Sequence, residues 1–291
     1  MQRRIVTWAL AIAGCVGQAL ASSNIDPEHS SAYGANMGWI EARGDGTNGA
    51  VVGTYYCTGY VWSANCGWIG MGNGPTNGWH YSNAAVGDWG VNHDGAGRLS
   101  GYAYGANIGW IAFEQTNGQP RIDLRTGALS GYAWSANAGW IGLTNAQAYV
   151  RTMTLDPGPD RDGDGLPDAW EYYRSGGTNL LSGGGHDADR DAAIDTAEYL
   201  ADTDPLDPGD RLRIVSAVIA GSNDVVSWTS RPTRLYRLET TNSLAGAGGE
   251  WENSGPGLVG PQDASPMQAA APSGAASSRF YRVRSYPPLA Q

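Results

Sequence analysis

The sequence GYAWSANAGWI, residues 131–141, is one of four copies of an aromatic motif that organises the N-terminal half of the chain. The other copies are AYGANMGWI at 32–40, GYVWSANCGWI at 59–69 and GYAYGANIGWI at 101–111. Their shared tryptophan recurs at positions 39, 68, 110 and 140, so one unit is about 30 residues long. About 12 extra residues separate the second copy from the third. We therefore expect a repeat domain in which each unit packs against its neighbours.

Each copy has the alternation of a β-strand on both sides of a tight turn. Tyr132 and Trp134 alternate with Ala133, and the turn at 135–139 contains the Asn and Gly that hairpins favour. A further strand precedes the later copies, which makes each unit a three-stranded meander. The first copy lacks this strand, and the strand-like residues 148–153 follow the last copy. This terminal strand could complete the first unit and close the array, which would remove two exposed sheet edges.

The repeated tryptophans predict a stacked core layer, because each unit must bury one face against the next. The alternative is that they form platforms for carbohydrate. A better candidate surface is the insertion at 71–90, since the repeat does not require its aromatic side chains. Trp79, Tyr81 and Trp89 are therefore candidate ligand-binding residues for a cell-surface or extracellular glycan.

Two cysteines, Cys57 and Cys66, replace apolar residues within the same repeat unit. This coincidence favours contact between them and hence a disulfide, which an exported protein can form. A straight hairpin would hold the two positions about 20 Å apart, so the bridge requires the strand to bend. Two buried free thiols are the alternative.

The N-terminus has the pattern of an export signal. Residues 1–21 contain Arg3 and Arg4, an apolar run, and Ala19-Leu20-Ala21 as a cleavage site. A lipobox-like string ending at Cys15 offers the alternative of a lipid-anchored protein. No later apolar stretch is long enough for a transmembrane span. We expect a secreted or cell-surface protein.

The negative charge is concentrated in one segment. Between Asp156 and Asp210 there are 15 acidic residues and three arginines, a local net charge of −12, against −10 for the whole chain. Such a segment would repel nucleic acid, and there is no basic stripe to bind it. A multivalent cation is the natural counter-charge.

Two stretches of this segment, 160–171 and 187–198, have the ligand spacing of an EF-hand calcium loop. Alternate carboxylates turn inward, a backbone carbonyl contributes midway, and the last Glu closes the site. The predicted ligands are Asp160, Asp162, Asp164, the Leu166 carbonyl, Asp168 and Glu171 in the first loop, and Asp187, Asp189, Asp191, the Ala193 carbonyl, Asp195 and Glu198 in the second.

Some positions depart from the EF-hand pattern. Ala192 stands where the first loop has Gly165, so the second site is expected to be weaker if positive φ is required there. Pro157 and Pro159 exclude a helix before the first loop. Helices are expected after each loop, at 167–174 and 196–200.

The string DRDGDGLPDAWE at 160–171, with EYLADTDP at 198–205, resembles the calcium modules of thrombospondin type 3-like repeats in secreted bacterial proteins. In that family such segments are calcium-stiffened spacers between domains. Dockerins are a more distant likeness that does not imply cohesin binding.

The last region, 211–291, has alternating strands at 212–218, 224–228, 235–239 and 279–284, and predicts a small antiparallel β-sandwich. The sequence thus predicts a mainly β protein with a signal peptide (1–21), a β-repeat domain (22–154), a calcium-binding segment (155–210) and a sandwich (211–291). No catalytic constellation is visible. We expect a non-catalytic, calcium-binding structural or adhesion protein, with carbohydrate binding as the alternative and self-association left open.

Overall fold

The computed structural model describes residues 23–45, 47–243, 250–260, 265–273 and 279–289. The predicted signal peptide and Cys15 lie outside the described residues. The strands of the N-terminal half are β1 (Ile25–Gly34), β2 (Gly38–Glu41), β3 (Val51–Val52), β4 (Cys57–Ser63), β5 (Gly67–Gly72), β6 (Val91–His93), β7 (Leu99–Gly105), β8 (Gly109–Phe113), β9 (Arg121–Ile122), β10 (Leu129–Ser130), β11 (Tyr132–Ser135), β12 (Gly139–Gly142) and β13 (Val150–Thr152).

Eight of these strands form a closed antiparallel barrel. Their order is β1, β2, β4, β5, β7, β8, β11 and β12, and the pairing of β12 with β1 completes the circle. Tyr33 is opposite Gly142 at this junction. The terminal strand β13 also pairs with β1, where Ile25 is opposite Thr152. The predicted closure of the array is therefore confirmed, but β12 closes it, whereas the terminal strand β13 adds to the other part of β1.

Each copy of the motif forms one hairpin of the barrel. In the fourth copy Ala133 is opposite Ile141, and Trp134 is opposite Trp140. The Ala and Ile side chains are 1% and 4% exposed and belong to the apolar cluster inside the barrel. Their neighbours along each strand point outward, as the two-residue period requires.

The motif tryptophans lie outside the barrel, so the predicted stacked core layer is wrong. Trp39, Trp68, Trp110 and Trp140 are between 39% and 52% exposed. An eight-stranded barrel has an interior just wide enough for ordinary side chains, and the Ala and Ile positions fill it. The indole rings instead pack in cross-strand pairs on the outer wall.

The turn asparagines join the four hairpins at one end of the barrel. Each side-chain amide donates to a backbone carbonyl in the turn of a neighbouring copy. The pairs are Asn36 to Ala138 (3.2 Å), Asn65 to Met37 (3.0 Å), Asn107 to Cys66 (3.0 Å) and Asn137 to Ile108 (3.0 Å). This ring of hydrogen bonds explains why every copy has Asn at the same place.

Cys57 and Cys66 are free and buried, so the predicted disulfide is wrong. Cys57 starts β4, whereas Cys66 lies in the turn after that strand. The strand runs from one position towards the other without folding back. Burial raises the pKa of the Cys57 thiol to about 12, so it is protonated and inert at neutral pH.

The acidic segment contains helix α1 (Asp168–Ser175) and helix α2 (Asp195–Ala201). Both lie within a residue or two of the helices expected after the loops. No helix in the described part of the chain combines the length and apolarity of a membrane span.

The C-terminal region contains β14 (Ile214–Ala220), β15 (Asn223–Trp228), β16 (Leu235–Thr241), β17 (Glu252–Val259), β18 (Met267–Pro272) and β19 (Phe280–Tyr286). They form two antiparallel sheets, β14-β15-β18 and β17-β16-β19. Trp228 from the first sheet and Tyr236 from the second belong to the same buried cluster.

Candidate metal centres

Three aspartates converge at the start of each predicted loop. Carboxylate oxygens of Asp160, Asp162 and Asp164 lie within 4.8 Å of one another. Those of Asp187, Asp189 and Asp191 do the same in the second loop. Like charges this close repel one another, so each cluster favours a cation between the oxygens.

The first aspartate of each loop fixes the backbone in the same way. Asp160 accepts hydrogen bonds from the N–H groups of Gly163 (2.8 Å) and Gly165 (3.0 Å). Asp187 accepts from the equivalent residues, Arg190 (2.7 Å) and Ala192 (3.0 Å). The two loops therefore share one conformation although their sequences differ at these positions.

The sequence predicted a weaker second site if its loop requires positive φ at Ala192, and the loop does have positive φ there. Gly163 and Gly165 have φ of +74° and +95°, and Arg190 and Ala192 have φ of +65° and +75°. Both loops thus require left-handed backbone at two positions. The first loop supplies glycine there, whereas the second loop bears Cβ atoms.

Each loop ends in a buried glutamate with an unpartnered oxygen. Glu171 is 0% exposed and Glu198 is 1% exposed. Among the described residues, Oε2 of each has no hydrogen-bond partner. The other oxygen of Glu171 accepts from the Leu181 N–H (3.3 Å), and that of Glu198 accepts from the Thr203 hydroxyl (3.0 Å).

Burial raises the pKa of Glu171 to about 7 and that of Glu198 to about 8. The carboxylates of the neighbouring aspartates, such as Asp162 and Asp189, are smaller causes of the same two shifts in pKa. A buried carboxyl next to like charges is costly when one of its oxygens has no partner. A cation bound between the aspartates and the glutamate would offset the like charges and give that oxygen a partner.

The fourth aspartate of each loop holds the loop backbone, and its role as a metal ligand stays a prediction. Asp168 accepts from the backbone N–H of Arg161 (2.9 Å) and from its guanidinium (2.5 Å). Asp195 accepts from the N–H of Ala188 (2.9 Å) and from His186 Nδ1 (2.8 Å). Both aspartates are fully buried and lie outside the two clusters. They brace the loop backbone.

Leu166 and Ala193, at the seventh position of each loop, make equivalent backbone hydrogen bonds. The N–H of Leu166 donates to Asp164 (2.8 Å), and that of Ala193 donates to Asp191 (2.7 Å). The two backbones are therefore oriented in the same way at this point. The role of the Leu166 and Ala193 carbonyls as ligands stays a prediction.

A short strap, residues 181–183, connects the two loops. Leu181 donates to Glu171, and Gly183 donates to Asp164 (2.7 Å). Ser182, between them, donates to Asp195 (3.4 Å) in the second loop. This strap could not be predicted from the sequence, because its contacts depend on the path of the intervening chain.

The three aromatic candidates of the insertion do not form one surface. Tyr81 is 3% exposed, and its hydroxyl donates to the Cys57 carbonyl (2.9 Å), so no ring face is open to a ligand. Trp79 stacks on His80 with ring centroids 4.2 Å apart, and its other neighbour is Tyr173 of α1 (5.4 Å). Trp79 is thus a packing residue between the barrel and the acidic segment.

Trp89, by contrast, lies on the outer wall of the barrel. Its ring centroid is 5.3 Å from that of Trp110 and 6.0 Å from that of Tyr104.

Comparison with protein-family models, with curated proteins and with solved structures found no match for this chain. The site must therefore be interpreted from its own geometry.

Proposed function

We propose that this chain is an exported, non-catalytic protein that binds two calcium ions in the loops 160–171 and 187–198. The ions would stiffen the link between the barrel and the C-terminal sheets. Export rests on the signal pattern of residues 1–21, with a lipid anchor at Cys15 as the alternative. An exported protein with a calcium-stiffened link between its domains would suit a structural or adhesive role at the cell surface or in the matrix.

One observation carries the proposal: a buried, unpartnered glutamate oxygen accompanies the aspartate cluster in each of two loops. A solvated acidic linker would leave these carboxylates exposed. The available ligand atoms are all oxygens, which suit hard cations such as calcium and do not suit zinc or copper. Three aspartates, a carbonyl and a bidentate Glu would supply six oxygens, the lower end of the six to eight that calcium takes.

The contacts of the segment support a stiffening role. On one side, Trp170 of α1 belongs to an apolar cluster with Tyr55 of the barrel. On the other side, Arg234 donates to the carbonyls of Leu200 (3.0 Å) and Tyr199 (2.8 Å) in α2. Each helix follows directly from one loop, so ordering a loop would fix one of these attachments. We further propose that the two C-terminal sheets, which share a core, act as one small sandwich.

The proposal is tested by thermal unfolding of the whole chain in calcium and in chelator. We expect calcium at a hundred times its dissociation constant to add about 3 kcal/mol of stability per site. Glu171→Gln and Glu198→Gln should each remove about half of the gain. Glu252→Gln, an equal change of charge on an exposed strand residue, should keep all of it. Equal melting temperatures in calcium and chelator for the unaltered chain would contradict the proposal.

A further inference from the structure

The outer wall of the barrel has a groove at the third repeat unit that the calcium proposal does not use. Its volume is about 770 Å³, and Tyr102, Tyr104 and Trp110 line it on the barrel side. Trp89 and Val86 of the insertion line the opposite side. The barrel interior is different, because its cavity of about 70 Å³ has only apolar walls and is too small for an organic ligand.

The insertion side of this groove is held in place by partly buried hydrogen bonds. Asp88 is 8% exposed and accepts from the N–H groups of Ser82 (2.9 Å) and Thr76 (3.1 Å). The Asn83 side chain accepts from the N–H of Gly90 (3.1 Å). The groove is therefore preorganised, which lowers the entropic cost of binding.

The aromatic pair at this groove can be compared with the equivalent pairs of the other three repeat units. Every unit carries the same outward aromatic pair across its hairpin, with ring centroids 4.9–5.0 Å apart. The pairs are Tyr33 with Trp39, Trp62 with Trp68, Tyr104 with Trp110, and Trp134 with Trp140. The insertion lies against the third pair through Trp89, which turns a flat aromatic surface into a concave one.

The lining chemistry restricts the ligand. No charged side chain among the described residues lines the groove, so a phosphate or an acidic chain would find no counter-charge. Tyr102, Tyr104 and Trp110 are 39–50% exposed. Their hydroxyl and indole N–H groups make no hydrogen bond to another described residue, and neither does that of Trp89. The groove thus offers flat apolar ring faces with free hydrogen-bonding groups at the ring edges.

We infer that this groove binds a neutral oligosaccharide. A pyranose ring has an apolar C–H face that stacks on an aromatic ring, and equatorial hydroxyls that bond to groups at the ring edge. A second copy of this chain is the competing occupant. Self-association through the aromatic wall would use all four equivalent aromatic pairs. The groove, however, lies only at the third pair among these four, which favours a ligand specific to that place.

The test is affinity electrophoresis of the whole chain through native gels that contain neutral polysaccharides: a β-glucan, a xylan and an α-glucan. We expect at least one of them to retard the protein. Trp110→Ala and Trp89→Ala should weaken that binding about tenfold or more, as loss of a stacked anchor ring does. Trp140→Ala removes the equivalent ring of the fourth unit and should bind normally.

Two further measurements separate binding from folding and from calcium. Titration of the unaltered chain with an oligosaccharide of the retarding polysaccharide should change its tryptophan fluorescence. Glu171→Gln should keep full retardation, because the groove contacts neither loop. Absence of retardation in all three gels would overturn the inference. So would equal losses in Trp110→Ala and Trp140→Ala, or a concentration-dependent dimer in sedimentation that Trp110→Ala abolishes.

Discussion

Two residues of the second proposed calcium loop, 187–198, adopt a backbone conformation that glycine adopts in the first, 160–171. Arg190 and Ala192 have positive φ, where the first loop has Gly163 and Gly165. An L side chain in this region costs about 1–2 kcal/mol, because Cβ crowds the following carbonyl oxygen. The second loop therefore carries strain that the first loop avoids.

We expect Ala192→Gly to raise the free energy of unfolding by about 0.5–1 kcal/mol, since relief of this crowding exceeds the added entropy of the unfolded chain. Calcium binding at the second site should become tighter. Ala193→Gly is the matched control, because Ala193 is not among the residues with positive φ and should only lose stability. Denaturant unfolding in chelator measures the first effect. A less stable Ala192→Gly chain would contradict this account.

The sequence predicted the convergence of some candidate ligands and not the position of others. The first three aspartates of each loop converge because alternate residues of a tight loop turn to the same side. Asp168 lies outside the cluster, because an aspartate at a helix start can also accept from a nearby N–H, and here Arg161 supplies one. The contact of Glu171 with the Leu181 N–H was not predictable either, because Leu181 lies outside the loop.

An ion pair joins the terminal strand β13 to β1. Asp26 of β1 is 3% exposed and accepts from Arg151 Nε of β13 (2.5 Å) and from His29 Nδ1 (3.0 Å). Burial alone would raise the pKa of Asp26. Hydrogen bonds from the Glu28 N–H, His29 and Arg151 outweigh it and lower the pKa from 3.8 to about 2.

Because the folded pKa lies below the unfolded one, this carboxylate stabilises the barrel above about pH 4 and loses that effect as the pH falls towards 2. We expect Asp26→Asn to lower the free energy of unfolding by about 1–2 kcal/mol at neutral pH. The loss is kept to this size because Arg151 is half-exposed and solvent screens the ion pair. The difference from the unaltered chain should shrink between pH 4 and pH 2. Asp94→Asn, at an exposed turn, is the control. A difference that stays constant with pH would exclude this role of the ion pair.

The sequence pattern predicted the closure of the strand array but not which face of each strand lies inside the barrel. Closure was predictable because the first copy lacks a strand and the last copy has one to spare. The outward direction of Trp140 was not, because alternation defines two faces without saying which is interior. The small size of Ala133 decides this, since eight strands leave room for such residues inside. Strand β17, with its Gly255, Pro256 and Gly257, has little strand propensity and was missed.

At the scale of the whole molecule, the acidic segment is packed against the barrel through the insertion. Trp79 lies between His80 and Tyr173, beside the buried cluster of Tyr55 and Trp170. The sequence placed this tryptophan on a binding surface, because its contact with α1 depends on how two distant parts of the chain meet.

We expect Trp79→Ala to lower the free energy of unfolding by about 2–3 kcal/mol, since a large half-buried ring is lost. The segment 155–210 should become accessible to limited proteolysis while the barrel stays resistant. Trp134→Ala, which removes an exposed ring of the outer wall, should leave the segment protected. Equal cleavage of this segment in both variants would contradict the proposed packing role.

The central claim is that the segment between barrel and sheets holds two calcium ions. Isothermal titration of the whole chain with calcium tests it most directly. We expect two sites per chain, the tighter one lost in Glu171→Ala and the weaker one, in the strained loop, lost in Glu198→Ala. Absence of calcium uptake at millimolar concentration, or uptake that both variants retain in full, would contradict the account.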